Sequence, residues 1–156
     1  MIRMIVPGVG SLEIEHLLLD VNGTLTTAGT LLPGVAERIA RLGEALQITL
    51  VTADARGTAN ALAERLGVAV QRVPAGGEAE AKANLARRLG GEGVAAIGNG
   101  ANDALMLETA RIGIAVLGDE GVAVSALKRA DLVTATITQA LDLFIDPVRL
   151  VSTLRQ

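Results

Sequence analysis

The sequence predicts an α/β fold: a three-layer sandwich with a mainly parallel sheet, preceded by an N-terminal hairpin. Three observations carry this reading. Short apolar runs of strand length alternate along most of the chain with longer stretches whose apolar residues recur at helical spacing. Hydrophobic residues make up 50% of the chain with one Phe and no Trp or Tyr, so the core must be aliphatic. A length of 156 residues suits one sizeable core, and residues 1–156 are expected to form one domain.

The first twenty residues read as two extended segments, IRMIV and SLEIEHLLLD, joined by the turn residues of PGVG. The second arm alternates at first, with Ile14 between Glu13 and Glu15. It then becomes continuously apolar, as in a strand covered on both faces. PGVAERIARLGEAL places Val35, Ile39, Leu42 and Leu46 on one helical face, and the short run ITLVT follows. A helix beginning near Arg56 continues through TANALAERLG, with Ala59, Leu62, Ala63 and Leu66 on one face and Gly67 as its stop. VAVQRV, GVAAIGN, IGIAVLG and DLVT supply further strands. EAEAKANLARRLGG, the stretch around NDALMLETA, and DEGVAVSALKRA fall between them. TQALDLFI and PVRLVSTLR close the chain as helices. Strands alternating with helices imply right-handed crossovers and a parallel sheet, whose ligand site lies beyond the C-terminal strand ends near the topological switch point.

Composition removes several function classes. The formal charge of −3 gives no clustered cations for a nucleic-acid surface, and the missing aromatics remove stacking platforms for single-stranded bases. The absence of Cys excludes disulfides and thiolate sites, and a single histidine, His16, excludes a Ser-His-Asp triad. His16 reads as a packing or surface residue. No apolar run approaches a membrane span and no signal-peptide pattern opens the chain, so a cytoplasmic protein without membrane partners is expected.

The residues that could carry chemistry sit at predicted strand ends. Asp20 ends the most apolar strand before the NGT turn, where Gly23 permits a tight turn and Thr24 can donate within it. A carboxylate there can attack phosphorus and help hold a divalent cation; it can equally organise the turn. Thr52 could donate its hydroxyl to a phosphate oxygen, with Ala53 beside it, while Asp54 suits a helix cap. Lys82 is one of only two lysines, the other being Lys128. Its ammonium could neutralise phosphate, or could pair along the helix surface with Glu78 four residues earlier. In AIGNGANDALML a strand runs into a glycine-rich loop, where Asp103 is placed either to hold Mg2+ or to cap the next helix.

Taken together, Asp20-Val21-Asn22-Gly23-Thr24-Leu25-Thr26, Thr52-Ala53-Asp54, Lys82 and Gly98-Asn99-Gly100-Ala101-Asn102-Asp103 resemble the four ordered motifs of the haloacid dehalogenase-like (HAD) superfamily. Their details look most like its soluble P-type-ATPase-like phosphatase group. The resemblance implies a Rossmann-like core and a Mg2+-dependent hydrolase with an aspartyl-phosphate intermediate. Asp20 would be the nucleophile, Thr52 and Ala53 would bind phosphate, Lys82 would stabilise phosphate and nucleophile charge, and Asp103 would support the metal. The main-chain carbonyl of Asn22 would be a further metal ligand. The spacing between motifs leaves no room for an inserted cap domain, so a capless HAD core with a small flap from TTAGTLLPG is expected.

Two residues depart from that pattern. Asn22 stands where the phosphatases carry a second Asp, and an amide has no titrating proton for general acid-base work, which is typically worth about 10^2 to 10^4 in rate. Asn99 stands where the family commonly has a carboxylate at the metal; it supplies an amide oxygen without charge. The reading is a HAD-like phosphohydrolase or phosphotransferase with slowed turnover, acting on a phosphorylated small molecule or phosphoprotein. The alternative is a non-catalytic phosphate-binding or interaction module on the same scaffold. Leu31 and Leu32 would favour a homo-oligomer if exposed, and core packing explains them equally well. No G-x-G-x-x-G follows the first strand, which argues against dinucleotide binding.

Overall fold

A computed structural model describes residues 1–54 and 57–156. The helix start expected near Arg56 lies outside the described residues. Among them the chain forms β1 (Ile2–Val6), β2 (Gly10–Ile14), β3 (His16–Asp20), β4 (Thr26–Thr27), β5 (Thr30–Leu31), α1 (Val35–Gly43), β6 (Gln47–Thr52), α2 (Thr58–Leu66) and β7 (Ala69–Arg72). There follow α3 (Glu78–Arg88), β8 (Val94–Gly98), α4 (Ala104–Thr109), β9 (Ile112–Val116), α5 (Val124–Leu127), β10 (Leu132–Thr134), α6 (Ile137–Ile145) and α7 (Pro147–Leu154).

Six strands form one parallel sheet in the order β10-β9-β8-β3-β6-β7. β3 lies at its centre, and the chain winds from it first toward β7 and then back across toward β10. The direction of winding therefore changes beside β3, which opens a crevice at the C-terminal ends of β3, β6 and β8.

Side-chain alternation divides the core into two halves. Leu17 and Leu19 of β3 point into one cluster with Ile39, Leu50, Ile97 and Phe144, whereas Leu18 joins Val51, Ala96, Leu107 and Ala115 on the other face. Burial on both sides explains why β3, β8 and β9 read as unbroken apolar runs. His16 opens β3 half-buried and does not approach the crevice end of the strand.

The expected extended arm SLEIEHLLLD is two strands rather than one. β2 pairs antiparallel with β1 in its own hairpin, whereas β3 pairs in parallel with β6 and β8. Glu15 sits between them, its N–H donating to Gly93 O and its carbonyl accepting from Gln47 N. Met4, Val6, Leu12 and Ile14 turn one face of the hairpin into the first core half.

β4 and β5 form the small flap, and no larger insertion separates β3 from β6. Leu31 and Leu32 are half-buried against the core, so packing accounts for much of their apolar surface. Thr136 and Gln139 cap α6 reciprocally: Thr136 Oγ1 accepts from Gln139 N, and Gln139 Oε1 accepts from Thr136 N, each at 3.2 Å. No helix among the described residues is long and apolar enough to cross a membrane.

The sheet and the layer containing α4 approach closely at Gly113. A Cβ there would lie 2.3 Å from the main-chain oxygen of Leu107, which cannot swing aside as a side chain could. Gly113→Ala is expected to cost about 1–3 kcal/mol by overpacking, measured by urea unfolding. Unchanged stability would show that this contact is looser.

Candidate active site

The crevice collects residues distant in sequence because each parallel strand ends there. β3 delivers Asp20, its first polar residue after three buried leucines. The chain then turns tightly about Val21, whose carbonyl accepts from the N–H groups of Thr24, Leu25 and Thr26. Gly23 closes the turn at φ 79°, a left-handed conformation natural to glycine, with its N–H donating to Thr26 O at 2.9 Å. The Thr24 hydroxyl lies 3.1 Å from Asp20 Oδ2 and 3.2 Å from Asn99 Oδ1, so it faces two acceptors with one proton.

Lys82 is turned inward. Its Nζ donates to Asp20 Oδ1 at 2.7 Å and to Asp103 Oδ1 at 2.6 Å, and the residue is only 1% exposed. The surface pair with Glu78 does not form; Glu78 instead accepts from Asn102 Nδ2 at 2.6 Å. Asp103 is completely buried, and its Oδ2 accepts the main-chain N–H groups of Asn99 and Gly100. It therefore stands behind Lys82 and also organises the Asn99 loop. Gly98 leaves the space it occupies, since a Cβ there would come within 2.5 Å of Asp103 Cγ.

β6 brings Thr52 to the same end of the sheet, buried beside Ala53. Thr52 Oγ1 accepts from Asp54 N at 3.1 Å, which leaves its own proton to donate elsewhere. Asp54 works as a helix cap, with Oδ2 accepting from Ala59 N and from the Thr58 hydroxyl.

Two charges shift from their ordinary values. Burial, then the neighbouring Asp103 charge, pushes the Asp20 carboxyl up to about 6, against the pull of Lys82 and the hydrogen bond from Thr24. Burial opposes the charge on Lys82, but Asp20 and Asp103 together outweigh it and raise the ammonium above its usual value. The buried ammonium is held charged by two carboxylates.

A cavity of about 740 Å3 opens over these groups. Asp20, Asn22, Thr52, Ala53, Lys82 and Asn99 all line it, and Asp103 reaches it through Lys82. Six of the seven residues singled out in sequence thus share one space directly. The lining also includes Asp54, Glu78 and Glu120. Glu120 escapes a reading of motifs because it lies in the loop after β9, between glycines and far from any of them. An acidic residue following a predicted parallel strand was the one available signal.

The donor chemistry suits a hard divalent cation. Asp20 offers a carboxylate, and Asn99 Oδ1 faces the Thr24 hydroxyl that also reaches Asp20, while Asn99 Nδ2 donates to Gly121 O at 3.1 Å. The cavity's lining carries four carboxylates against the single Lys82 ammonium, so an added phosphate dianion needs further positive charge. Among the described residues, however, no three His, Cys, Asp or Glu side chains gather closely enough to hold a metal by themselves. Neutral oxygens from Asn99 and the Asn22 main chain would have to complete the set.

Residues 3–111 match the family model described as haloacid dehalogenase-like hydrolase. The chain is 31% identical over 140 residues to a soluble P-type ATPase-like phosphatase of Methanocaldococcus jannaschii, spanning 87% of this chain and 51% of that protein. The fold is similar to the cobalt-bound deoxy-D-mannose-octulosonate 8-phosphate phosphatase of Haemophilus influenzae, with a TM-score of 0.72 and 19% identity over 92% of this chain and 94% of that one. A 3-deoxy-D-manno-octulosonate 8-phosphate phosphatase of Moraxella catarrhalis, solved with magnesium, phosphate and its sugar, has a TM-score of 0.64 at 17% identity. That match covers 91% of this chain and 94% of the other.

Lys82→Met leaves two buried carboxylates facing each other and is expected to cost about 3–5 kcal/mol at pH 8 in urea unfolding. Asp20 adds a pH dependence of opposite sign to an ordinary ion-paired carboxylate. Its folded value of about 6 lies above the ordinary 3.8, so its favourable contribution is present below pH 3.8 and lost as pH rises through about 6. Without added cations, wild type should therefore lose on the order of 2 kcal/mol relative to Asp20→Asn across that window. Parallel stability curves for the two proteins would contradict the assignment.

Proposed function

This chain belongs to the haloacid dehalogenase-like hydrolases, and on that footing we propose that it is a Mg2+-dependent phosphohydrolase or phosphotransferase acting through phospho-Asp20, with residues 1–156 forming one hydrolase unit. The observation that carries the reading is the position of Asp20. It ends the central strand, lines the cavity, and is tied by Lys82 to Asp103. A carboxylate so placed attacks phosphorus, forming a phosphorus–oxygen bond as the bond to the leaving group breaks. Water then attacks the same phosphorus, releasing phosphate and restoring Asp20.

The surrounding residues supply charge and position. Lys82 restrains Asp20 and meets the negative charge of the transferring group, and the Thr52 hydroxyl donates to one of its oxygens. Asp103 holds Lys82 and the Asn99 loop in register. Mg2+, held by Asp20, the Asn99 amide oxygen and the Asn22 carbonyl, would neutralise phosphate charge in the acidic cavity.

Asn22 lines the cavity and can hydrogen-bond to a substrate, but it cannot pass a proton to the leaving group or activate water. Attack at Asp20 therefore retains its main supports, while release depends on solvent to handle protons. A neighbouring cavity of about 340 Å3 shares Asn22, Gly29 and Thr58 with the first, and includes Val21, Leu31, Leu62 and Arg65. Its size and mixed walls support a small phosphorylated molecule as substrate, with the leaving group between the flap and α2. Asn22 and Asn99 favour the competing reading, a phosphate-binding module without turnover.

Wild type, Asp20→Ala and Asn22→Asp assayed with Mg2+ against phosphomonoesters and acetyl phosphate separate these readings. Loss of turnover in Asp20→Ala is expected, and activity unchanged there would sink the nucleophile assignment. Asn22→Asp should raise turnover about 10^2-fold or more if the missing acid-base group limits the rate. Binding of beryllium fluoride without turnover by either wild type or Asn22→Asp would favour the non-catalytic module. Intact mass before assay would detect any Asn-Gly deamidation that introduced a carboxylate.

A further inference from the structure

We infer that Asn99 and Glu120 together replace the carboxylate missing from the cation site: the Asn99 amide pins the loop after β9, and that loop presents Glu120 as an outer carboxylate. The inference rests on the Mg2+ reading above. Asn99 grips the loop at two places just beyond Glu120. Its Nδ2 donates to Gly121 O at 3.1 Å, and its main-chain carbonyl accepts from Ala123 N at 2.8 Å. On the other side of Glu120, a Cβ on Gly118 would lie 3.4 Å from Gly23 O, so the loop also rests on the turn that follows Asp20.

The side-chain half of this clamp needs an amide. A carboxylate at position 99 has no proton for Gly121 O and would set negative charge against that carbonyl. The same amide turns its oxygen toward the Thr24 hydroxyl in Asp20's turn and its nitrogen toward the loop. The result places Glu120 beside Gly23: a Cβ there would lie 2.5 Å from Glu120 Oε2, 2.9 Å from Asn99 Nδ2 and 3.2 Å from Asn99 Oδ1. Carboxylate and amide thus border one small space next to Asp20's turn, and Gly23 keeps it open. Glu120 is exposed and makes no ion pair with another described residue.

Among the described residues no three acidic side chains stand close enough to bind a metal together, which assigns Glu120 an indirect role. Mg2+ retains several of its waters, and a carboxylate accepting from such water contributes charge without entering the inner set. Outer partners of this kind change metal affinity by about 10–100-fold when removed. Asp20 and Asp103 both spend charge on Lys82, so Glu120 supplies negative charge that no described cation neutralises.

The test is Mn2+ binding by electron paramagnetic resonance and Mg2+ binding by calorimetry, on the full chain. Glu120→Gln should weaken both by about tenfold, with thermal melting unchanged because the residue is exposed. Asp119→Asn, an exposed neighbour outside the crevice lining, should leave affinity unchanged. In an Asn99→Asp background the loop loses its side-chain pin and keeps the main-chain bond from Ala123, and adding Glu120→Gln should then have a smaller effect than in wild type. If Asp20→Ala abolishes Mn2+ binding while Glu120→Gln matches wild type, the inference fails and the Mg2+ reading stands. Wild type that binds neither ion overturns both. Equal losses in Asp119→Asn and Glu120→Gln, or a full Glu120 effect retained in the Asn99→Asp background, overturn the role of the pinned loop.

Discussion

The buried ammonium of Lys82, shared between Asp20 and Asp103, is the interaction on which the crevice depends. It joins the end of the central strand to α3 and to the loop before α4, all in a space nearly closed to water. Buried ion pairs are poor sources of net stability because desolvation cancels much of their attraction. Here two carboxylates share one ammonium, and the elevated Asp20 value records the remaining repulsion and burial. The arrangement is costly as architecture and useful as chemistry, since added positive charge would relieve it.

Everything around the triad fixes its members in place. Gly98 makes room for Asp103, and two main-chain N–H groups hold the carboxylate. Thr24 bridges from the Asp20 turn to Asn99. The parallel sheet brings these parts together because its winding reverses beside β3, leaving the ends of β3, β6 and β8 uncovered by crossover helices. The short flap and absence of a larger insertion between β3 and β6 keep that end accessible.

The two amides have different consequences. Asn22 faces the cavity and alters what can move protons there. Asn99 is part of the framework, bonded toward both Asp20's turn and the loop after β9. Replacing a carboxylate by an amide at these two positions is the same change on paper, yet among the described residues only the second donates a hydrogen bond to the fold.

Much of this was legible in the amino-acid order. Periodicities of two and 3.6 marked the strands and helices because burial acts directly on individual side chains, and the apolar run to Asp20 marked a strand buried on both faces. The break at Glu15 was hidden, since a strand leaving one sheet for another keeps its extended backbone and apolar pattern. The motif residues named the crevice in advance, but helical spacing allowed Lys82 to pair on the surface with Glu78. Tertiary packing turned it inward toward two carboxylates brought close by different strands. Glu120 belonged to no motif, and its place after a predicted parallel strand was its one local signal. The sequence by itself determined the α/β pattern and the chemical groups available, because both reside in local order. Only the tertiary structure decided which charges meet, because their distances depend on strand order and loop contacts between residues far apart in the chain.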